Sequence, residues 1–512
     1  MNPPETKNSE FSSFLLSVAS GFLLVFSFPP FNLSLFSWIA FIPLLCVINR
    51  VSARGAFLYS YLAAGIFFYF SLFWLTKVTI VGWLVLGLYL SLYPAFFGLL
   101  TSFCLKSFIN ENRKLYLLFI LPCIWVGFEF VRSHLLTGFG WNSLGYSQFR
   151  NLALIQIADS SGVYGVSFVV MFANCIFWMV TEEVIARKQG IYKKIIGLLL
   201  SLAFVLVSVL GYGLLRLAEN FSKKQDILRV SIVQPNISQN LKWNPYAKDY
   251  ILEEIIDLSI EAAKDAPDMI IWPESALPIY FELDSGIFDV VSGLAKDLNT
   301  HLLTGAVRVE QDEFYNSAIL ISPQGSLLTL YDKLHLVPYG EFIPFRRLTP
   351  FLASIVGIGD FSWGKSYTIF NLKDIRFAVL ICFEDAFSNL SRQFLKEGAS
   401  ILVNITNDAW FDRQAEPQQH LSQSVFRAVE NRVSIVRCAN TGISGLINAK
   451  GKMEKFVSEE TFVRGFKTFP VAVKLDYQTY YNRHGDLFVL ICIILAMLAI
   501  TKSIYTKIKA KA

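Results

Sequence analysis

RFAVLICFED (376–385) runs five apolar residues, Phe377 to Ile381, into Cys382 and then into Glu384 and Asp385. An apolar run without polar alternation suits a strand buried on both faces. Polar residues at the ends of such strands are where α/β folds tend to place their sites. A thiol at a strand-to-helix turn can lie near helix N-terminal amides, which lower its pKa and bind an oxyanion. Two other strand ends have the same character. MIIWPES (269–275) places Glu274 just after an apolar strand and a proline, and YDKLHLVP (331–338) ends a strand in Lys333.

Outward from these three ends, residues 219–485 alternate short β-rich runs with polar helical stretches. Strands are expected at 228–237, 268–275, 301–309, 314–322, 327–333, 376–385, 401–408 and 434–448. Helices are expected at 246–265, 285–298, 386–397 and 418–432. Strand and helix alternating along one unit predict a layered α/β domain.

The rest of the chain is different. Of 512 residues, 54% are hydrophobic and only 17% charged, and mean hydropathy is +0.47, which excludes a disordered protein and disfavours a wholly soluble one. A helix needs about 20 apolar residues to cross a bilayer. Apolar runs at 11–28, 31–49, 57–76, 79–105, 115–131, 161–181, 195–217 and 487–505 predict an α-helical membrane bundle of about eight transmembrane helices. The division expected is 1–218 with seven helices, 219–485 as the α/β domain, and 486–512 as the last helix and tail. Arg50, Arg54, Lys106, Arg113, Lys114, Arg187, Lys188, Lys193, Lys194 and the tail lysines 502, 507, 509 and 511 fall in alternate loops. By the positive-inside rule those loops and both termini are cytoplasmic, with the α/β domain outside. The net charge of +5 is too mild for a nucleic-acid binder. Seven cysteines without C-x-x-C spacing indicate neither a zinc site nor a disulfide framework, so no metal or cofactor is expected.

Taken singly, each candidate has a plainer explanation. Cys382 reads as a buried small hydrophobe, Glu274 as a turn or cap residue, and Lys333 beside Asp332 as a surface charge pair. His335 and His420 read as structural hydrogen-bonding residues, and Cys438 as a buried thiol. Together, the residue types permit a Cys nucleophile with a carboxylate base and a cationic oxyanion stabiliser.

The order of the motifs says more. WPES (272–275), YDKLHLVPYGEFIP (331–344), ICFED (381–385) and NITNDAWF (404–411) resemble the Glu–Lys–Cys motifs of the nitrilase superfamily, over about 229–478. Seven apolar spans before them and one after give the chain the look of the apolipoprotein N-acyltransferase family. TGFGWNSLGYSQ (137–148) is similar to that family's outer-loop motif. The resemblance implies an αββα nitrilase-like sandwich on the membrane bundle, in a bacterial inner membrane with the sandwich periplasmic. It implies Glu274 as general base, Lys333 as transition-state stabiliser and Cys382 as nucleophile, with Glu341, Glu384 and Asn316 supporting the site. Trp243, Trp141 and Tyr146 match aromatic positions of the family and are candidates for lipid contact. Implied substrates are a glycerophospholipid acyl donor and a diacylglyceryl apolipoprotein acceptor, linked by a thioester in a ping-pong scheme. Phe383 stands where many members have tyrosine, so no hydroxyl role carries over there.

Two rivals differ in class. A membrane-tethered amidase for a small C–N substrate would use the same triad but has little need of eight spans. A transporter with a degenerate outer domain would need more intramembrane charge than Glu129 supplies. The segment 345–359, apolar apart from Arg346 and Arg347, reads either as a buried helix or as a lid dipping Phe351, Leu352, Ile355 and Val356 into the outer leaflet.

Overall fold

The computed structural model describes residues 7–110, 113–186, 191–219, 226–242, 244–277, 285–343, 361–411, 415–473 and 478–509. The chain divides into two compact units. The first holds Met1–Ala218, Gln414–Gln419 and Arg483–Ala512, and the second holds Glu219–Arg413 and His420–Asn482.

The first unit is helical. Among the described residues six helices are long and apolar enough to cross a membrane: Ser9–Ser27, Ile80–Phe108, Lys114–His134, Ala158–Ala186, Ile191–Ala218 and Leu487–Lys509. The count of about eight is thus approximate, and the difference lies in two places. The run at 31–49 breaks into a 3₁₀ turn, Ser34–Trp38, and the nine-residue helix Ile42–Arg50, with Pro43 in its first turn. Nine residues rise only about 14 Å, less than half of a hydrocarbon core. The run at 57–76 becomes the helix Ala53–Ser71, diluted by Arg54 and by tyrosines 59, 61 and 69, followed by a 3₁₀ turn at Phe73–Lys77.

Within this unit the buried pair Glu129 and Arg132 anchors the 137–148 loop. Arg132 donates to the carbonyls of Phe139 (3.0 Å) and Trp141 (2.6 Å) and to Ser143 Oγ (3.0 Å). Glu129 accepts from Trp125 Nε1 (2.9 Å) and from the Leu144 amide (2.6 Å). A charge at membrane depth is tolerated when protein dipoles satisfy it, and here it holds loop backbone.

The second unit contains two six-stranded sheets. The first sheet has the order β12-β1-β2-β3-β4-β5, and the second β11-β10-β9-β8-β7-β6. In the first, β1 (Asp226–Gln234), β2 (Met269–Ile271) and β3 (His301–Glu310) run parallel. β4 (Glu313–Ile321), β5 (Leu327–Asp332) and the edge strand β12 (Gly465–Val473) are antiparallel to their neighbours. In the second, β7 (Ile375–Ile381), β8 (Ile401–Thr406) and β9 (Ile435–Ala439) form a parallel core, flanked by β6 (Phe370–Leu372), β10 (Gly445–Ile447) and β11 (Met453–Glu454). Apart from Arg376, the strands β2, β7, β8 and β9 are buried throughout, which is why their sequences lack alternation. The Cys438 thiol on β9 reaches the carbonyls of Val233 (3.4 Å) and Ile271 (3.3 Å) on the other sheet. It is the buried thiol expected from the sequence.

Helices cover the first sheet. Lys248–Ala263 buries Ile251, Ile255 and Leu258, one apolar stripe at helical spacing, and its Ser259 Oγ accepts from Trp272 Nε1 at 2.9 Å. The helices Ser388–Lys396 and, from His420 onward, Glu416–Asn431 belong with the second sheet. Two strand expectations change. The run 434–448 is two strands, β9 and β10, separated by the turn Asn440–Ser444. The strand β12 was not expected, because Pro470 interrupts its pattern. Proline is tolerated there because β12 is an edge strand.

Candidate active site

Cys382 follows β7 directly and opens a five-residue 3₁₀ helix, Cys382–Ala386. Its φ is +53°, a left-handed value costly for a side chain with a Cβ and found where the surroundings enforce it. The enforcement is visible: the Cys382 carbonyl takes hydrogen bonds from Asn404 Nδ2 (3.1 Å) and His420 Nε2 (3.2 Å). Of the seven cysteines, Cys382 alone is half-buried and the others are fully buried. Burial and the Glu274 charge push its thiol up to about 12, against the opposing pull of Lys333 and His420. The resting nucleophile is therefore the neutral thiol, and it needs a base.

Glu274 sits after β2 and is buried. One carboxylate oxygen accepts from Asn316 Nδ2 (2.8 Å) and the other from the Asn407 amide (3.0 Å). Its main chain is clamped against Gly305 of β3, where a Cβ would come within 2.7 Å of Glu274 Cα, Pro273 O and Ser275 N.

Lys333 caps β5 with 1% exposure. Its ammonium is 2.9 Å from Glu341 Oε1 and 3.5 Å from Glu274 Oε1. The expected surface pair with Asp332 is absent; Asp332 binds Arg308 at 2.8 Å instead, because adjacent strand residues point to opposite faces. Burial works against the Lys333 charge, but Glu341, Glu274 and the Cys382 thiol outweigh it and hold its pKa above the ordinary value. Asn316 donates to Glu274 and, at 2.7 Å, to Glu341. Glu341 also accepts from the Val337 amide at 2.7 Å.

Glu384 is fully buried and binds the lysine end to the cysteine end. It accepts from Tyr331 OH (2.8 Å) and from the amides of Leu334 (2.8 Å), His335 (3.0 Å) and Ile381 (2.8 Å). Burial nevertheless pushes its carboxyl up to about 7.

The structure thus brings Glu274, Lys333, Cys382, Asn316, Glu341 and Glu384 to one place. It buries Trp141 and Tyr146 in the helical unit, each 3% exposed. Trp141 Nε1 donates there to Gln419 Oε1 (2.9 Å), beside the Trp74 ring at 5.8 Å, so neither residue presents a free ring outward. Trp243 and the 345–359 segment lie outside the described residues. Phe383 packs edge-on against Phe387 at 5.0 Å.

Sequence reasoning missed a second buried cluster behind the cysteine. Arg437 on β9 donates to Asn404 Oδ1 (2.7 Å) and lies 3.3 Å from both Asp385 and Asp408. His420 Nε2 is 2.9 Å from Asp385, and Ser424 donates to Asp385. Burial and Arg437 oppose the His420 charge, but Asp385 and Asp408 win and raise its pKa well above the usual histidine range. Asp408 and His420 are types that ligate metals, yet the Arg437 guanidinium already supplies the cation between these carboxylates. NITND carries Asn404 and Asp408 in plain view, but nothing in a linear string pairs them with Arg437.

The sandwich and its Glu–Lys–Cys cluster define the class. Residues 229–462 match the carbon-nitrogen hydrolase family model. The crystal structure of Saccharomyces cerevisiae Nit3, of the nitrilase superfamily, aligns over 50% of this chain and 93% of that one, at 19% identity and a TM-score of 0.38. Residues 20–176 match the apolipoprotein N-acyltransferase N-terminal domain. The apolipoprotein N-acyltransferase of Geobacter metallireducens is 39% identical over 502 residues, covering 94% of this chain and 93% of that protein. That of Chlorobaculum tepidum is 28% identical, covering 94% of each. The chain belongs to the apolipoprotein N-acyltransferase family. It is a membrane-integral acyltransferase, and its activity is lipoprotein N-acylation.

Proposed function

We propose that the enzyme moves an acyl chain from a glycerophospholipid to the α-amino group of the diacylglyceryl cysteine of an apolipoprotein, through a thioester on Cys382. Glu274 takes the thiol proton as sulfur attacks the sn-1 ester carbonyl. The tetrahedral adduct collapses, the carbonyl–oxygen bond breaks, and Glu274 returns the proton to the departing lysophospholipid oxygen. In the second half-reaction the amine attacks the thioester, Glu274 accepts its proton, and the Cys382 thiolate leaves and is reprotonated.

Lys333 stabilises both oxyanions. Its two carboxylate neighbours keep it charged over the whole working range, and a preorganised buried donor of this kind lowers the barrier by about 2.7–4 kcal/mol. Glu341 and Asn316 fix Lys333 and Glu274, and Glu384 fixes the chain on either side of Lys333 and Cys382. The observation that carries this reading is one half-buried thiol after β7 whose chain is joined through Glu384 to the loop of Lys333, itself 3.5 Å from Glu274, in a chain whose other half matches the family's membrane domain. The amidase alternative shares the triad but gives no account of that second match.

For topology, the helices Ile191–Ala218 and Leu487–Lys509 flank the 219–485 domain. The last of them carries Lys502, Lys507 and Lys509 toward its far end. Lysines there favour a cytoplasmic tail, which puts the catalytic domain on the periplasmic side, and the basic loops of the first half put the N-terminus in the cytoplasm.

The test is the intact mass of membrane-purified enzyme after incubation with phospholipid. An acyl adduct on Cys382, discharged by a lipopeptide amine, is the expected result. Turnover without any adduct overturns the ping-pong scheme.

A further inference from the structure

Lys242 ends the one-turn helix Gln239–Lys242 beyond β1 and is only 4% exposed. Among the described residues its ammonium has a single hydrogen bond, to the main-chain oxygen of Glu274 at 3.0 Å, and no carboxylate partner. Lysine is almost never buried this deeply unless an anion pairs with it.

The charges around it show what the anion is. Lys333 is shared between Glu274 and Glu341, at 3.5 and 2.9 Å. Among the described residues, two carboxylates against one ammonium leave one negative charge unbalanced, and Lys242 is a buried cation beside it. Resting on the thioester reading above, we propose that Lys242 is a positioning residue and second cation of the active site. It fixes the main chain at Glu274 and balances the negative charge that passes from the Glu274 carboxylate to the Cys382 sulfur when the thiol proton transfers.

That single charge is conserved through the proton transfer, so one cation serves both states. Without it, the thiolate would form in a cluster already carrying an uncompensated charge, and buried charge of one sign is costly. The groups acting on Lys242 are Glu274 and Cys382. Glu274 is faced in turn by Lys333, and Cys382 by Lys333, His420 and Asp408. Burial brings Lys242 down to about 8, with Glu274 and Cys382 opposing that fall. Its charge is therefore present in neutral solution and lost as pH rises through about 8.

The experiment measures the rate of Cys382 acylation by phospholipid in the full-length enzyme, from about pH 6 to about pH 10. Intact mass is read within the first turnover, so that no amine acceptor contributes an ionisation. Wild type is expected to lose rate on an alkaline limb near pH 8. Lys242→Met is expected to acylate about tenfold or more slowly at neutral pH and to show no limb. Lys242→Arg, whose guanidinium stays charged, is expected to recover part of the rate and to hold it to the top of the range.

A Lys242→Met enzyme that keeps both rate and limb overturns the proposal. So does one that is slower but keeps the limb, since a purely structural role predicts that pattern. If Lys242→Met does not fold, the limb of Lys242→Arg decides alone: unchanged near pH 8, it overturns the proposal. A wild-type enzyme that turns over without a thioester overturns the scheme on which the proposal stands. Equal behaviour of acylating wild type and variants overturns the proposal only.

Discussion

Replacing Glu384 by glutamine tests whether one buried carboxylate holds the lysine and cysteine ends in register. All four of its described contacts are donors pointing at carboxylate oxygens: Tyr331 OH and the amides of Leu334, His335 and Ile381. A glutamine amide has one oxygen, so its NH₂ must face either the Ile381 amide or the Tyr331–His335 group, donor against donor. One buried N–H left without an acceptor costs about 1–3 kcal/mol. Because the loss is local, it is best read as amide hydrogen exchange at Leu334, His335 and Ile381, where it amounts to about 5- to 160-fold faster opening. The same loosening separates Lys333 from Cys382, so acylation of Cys382 should slow in parallel.

The pH dependence has a definite sign. Burial raises the folded pKa of Glu384 to about 7 from the ordinary 4.5, so the fold binds its proton more tightly than the unfolded chain. The stabilisation is complete below about pH 4.5 and is lost as pH rises through about 7. In Glu384→Gln the group no longer titrates, so this pH dependence is expected to disappear from the stability of the variant. Wild-type exchange at the three amides, with a wild-type acylation rate, would refute the reasoning.

Three further outcomes are expected. Gly305→Ala places a Cβ within 2.7 Å of main-chain atoms of Pro273, Glu274 and Ser275, none of which can swing aside; displacing the base by about 1 Å should cost roughly a hundred-fold in single-turnover acylation, and a normal rate would show that the strands separate freely. Lys333→Met should slow acylation by about 10²–10³ while phospholipid binding persists; a pure loss of binding contradicts its role. Iodoacetamide should alkylate Cys382 before the six buried cysteines, at a rate still climbing past pH 9, since its thiol is held near 12; a plateau below about pH 9 would mean that the thiolate already exists at rest.

Much of the site was legible as strand ends. RFAVLICFED, MIIWPES and YDKLHLVP are apolar runs closed by a reactive group, and a parallel strand buried on both faces must end where its polar residues begin. The local reading failed where the tertiary environment reverses a plain preference. Lys333 beside Asp332 looks like a surface pair, but strand alternation sends the two to opposite sides, one to Glu341 and the other to Arg308. Pro470 argues against a strand until β12 proves to be an edge. Apolar composition at 31–49 counted as a span until the chain broke at Ile39 to Phe41 and left a nine-residue helix.

The sequence by itself determined the membrane half and the layered α/β half, because hydrophobic periodicity is a local property written in consecutive residues; it marked three strand ends as candidates, and only the motif resemblance gave those residues roles. Only the tertiary structure decided which groups share charge and proton. Glu384 bridging Tyr331 and Ile381, Arg437 meeting Asp385 and Asp408, and Lys242 bonded to the Glu274 main chain all join residues about 30 to 50 positions apart. Electrostatic partnership depends on distance and burial, and the chain order fixes neither until two sheets close on each other.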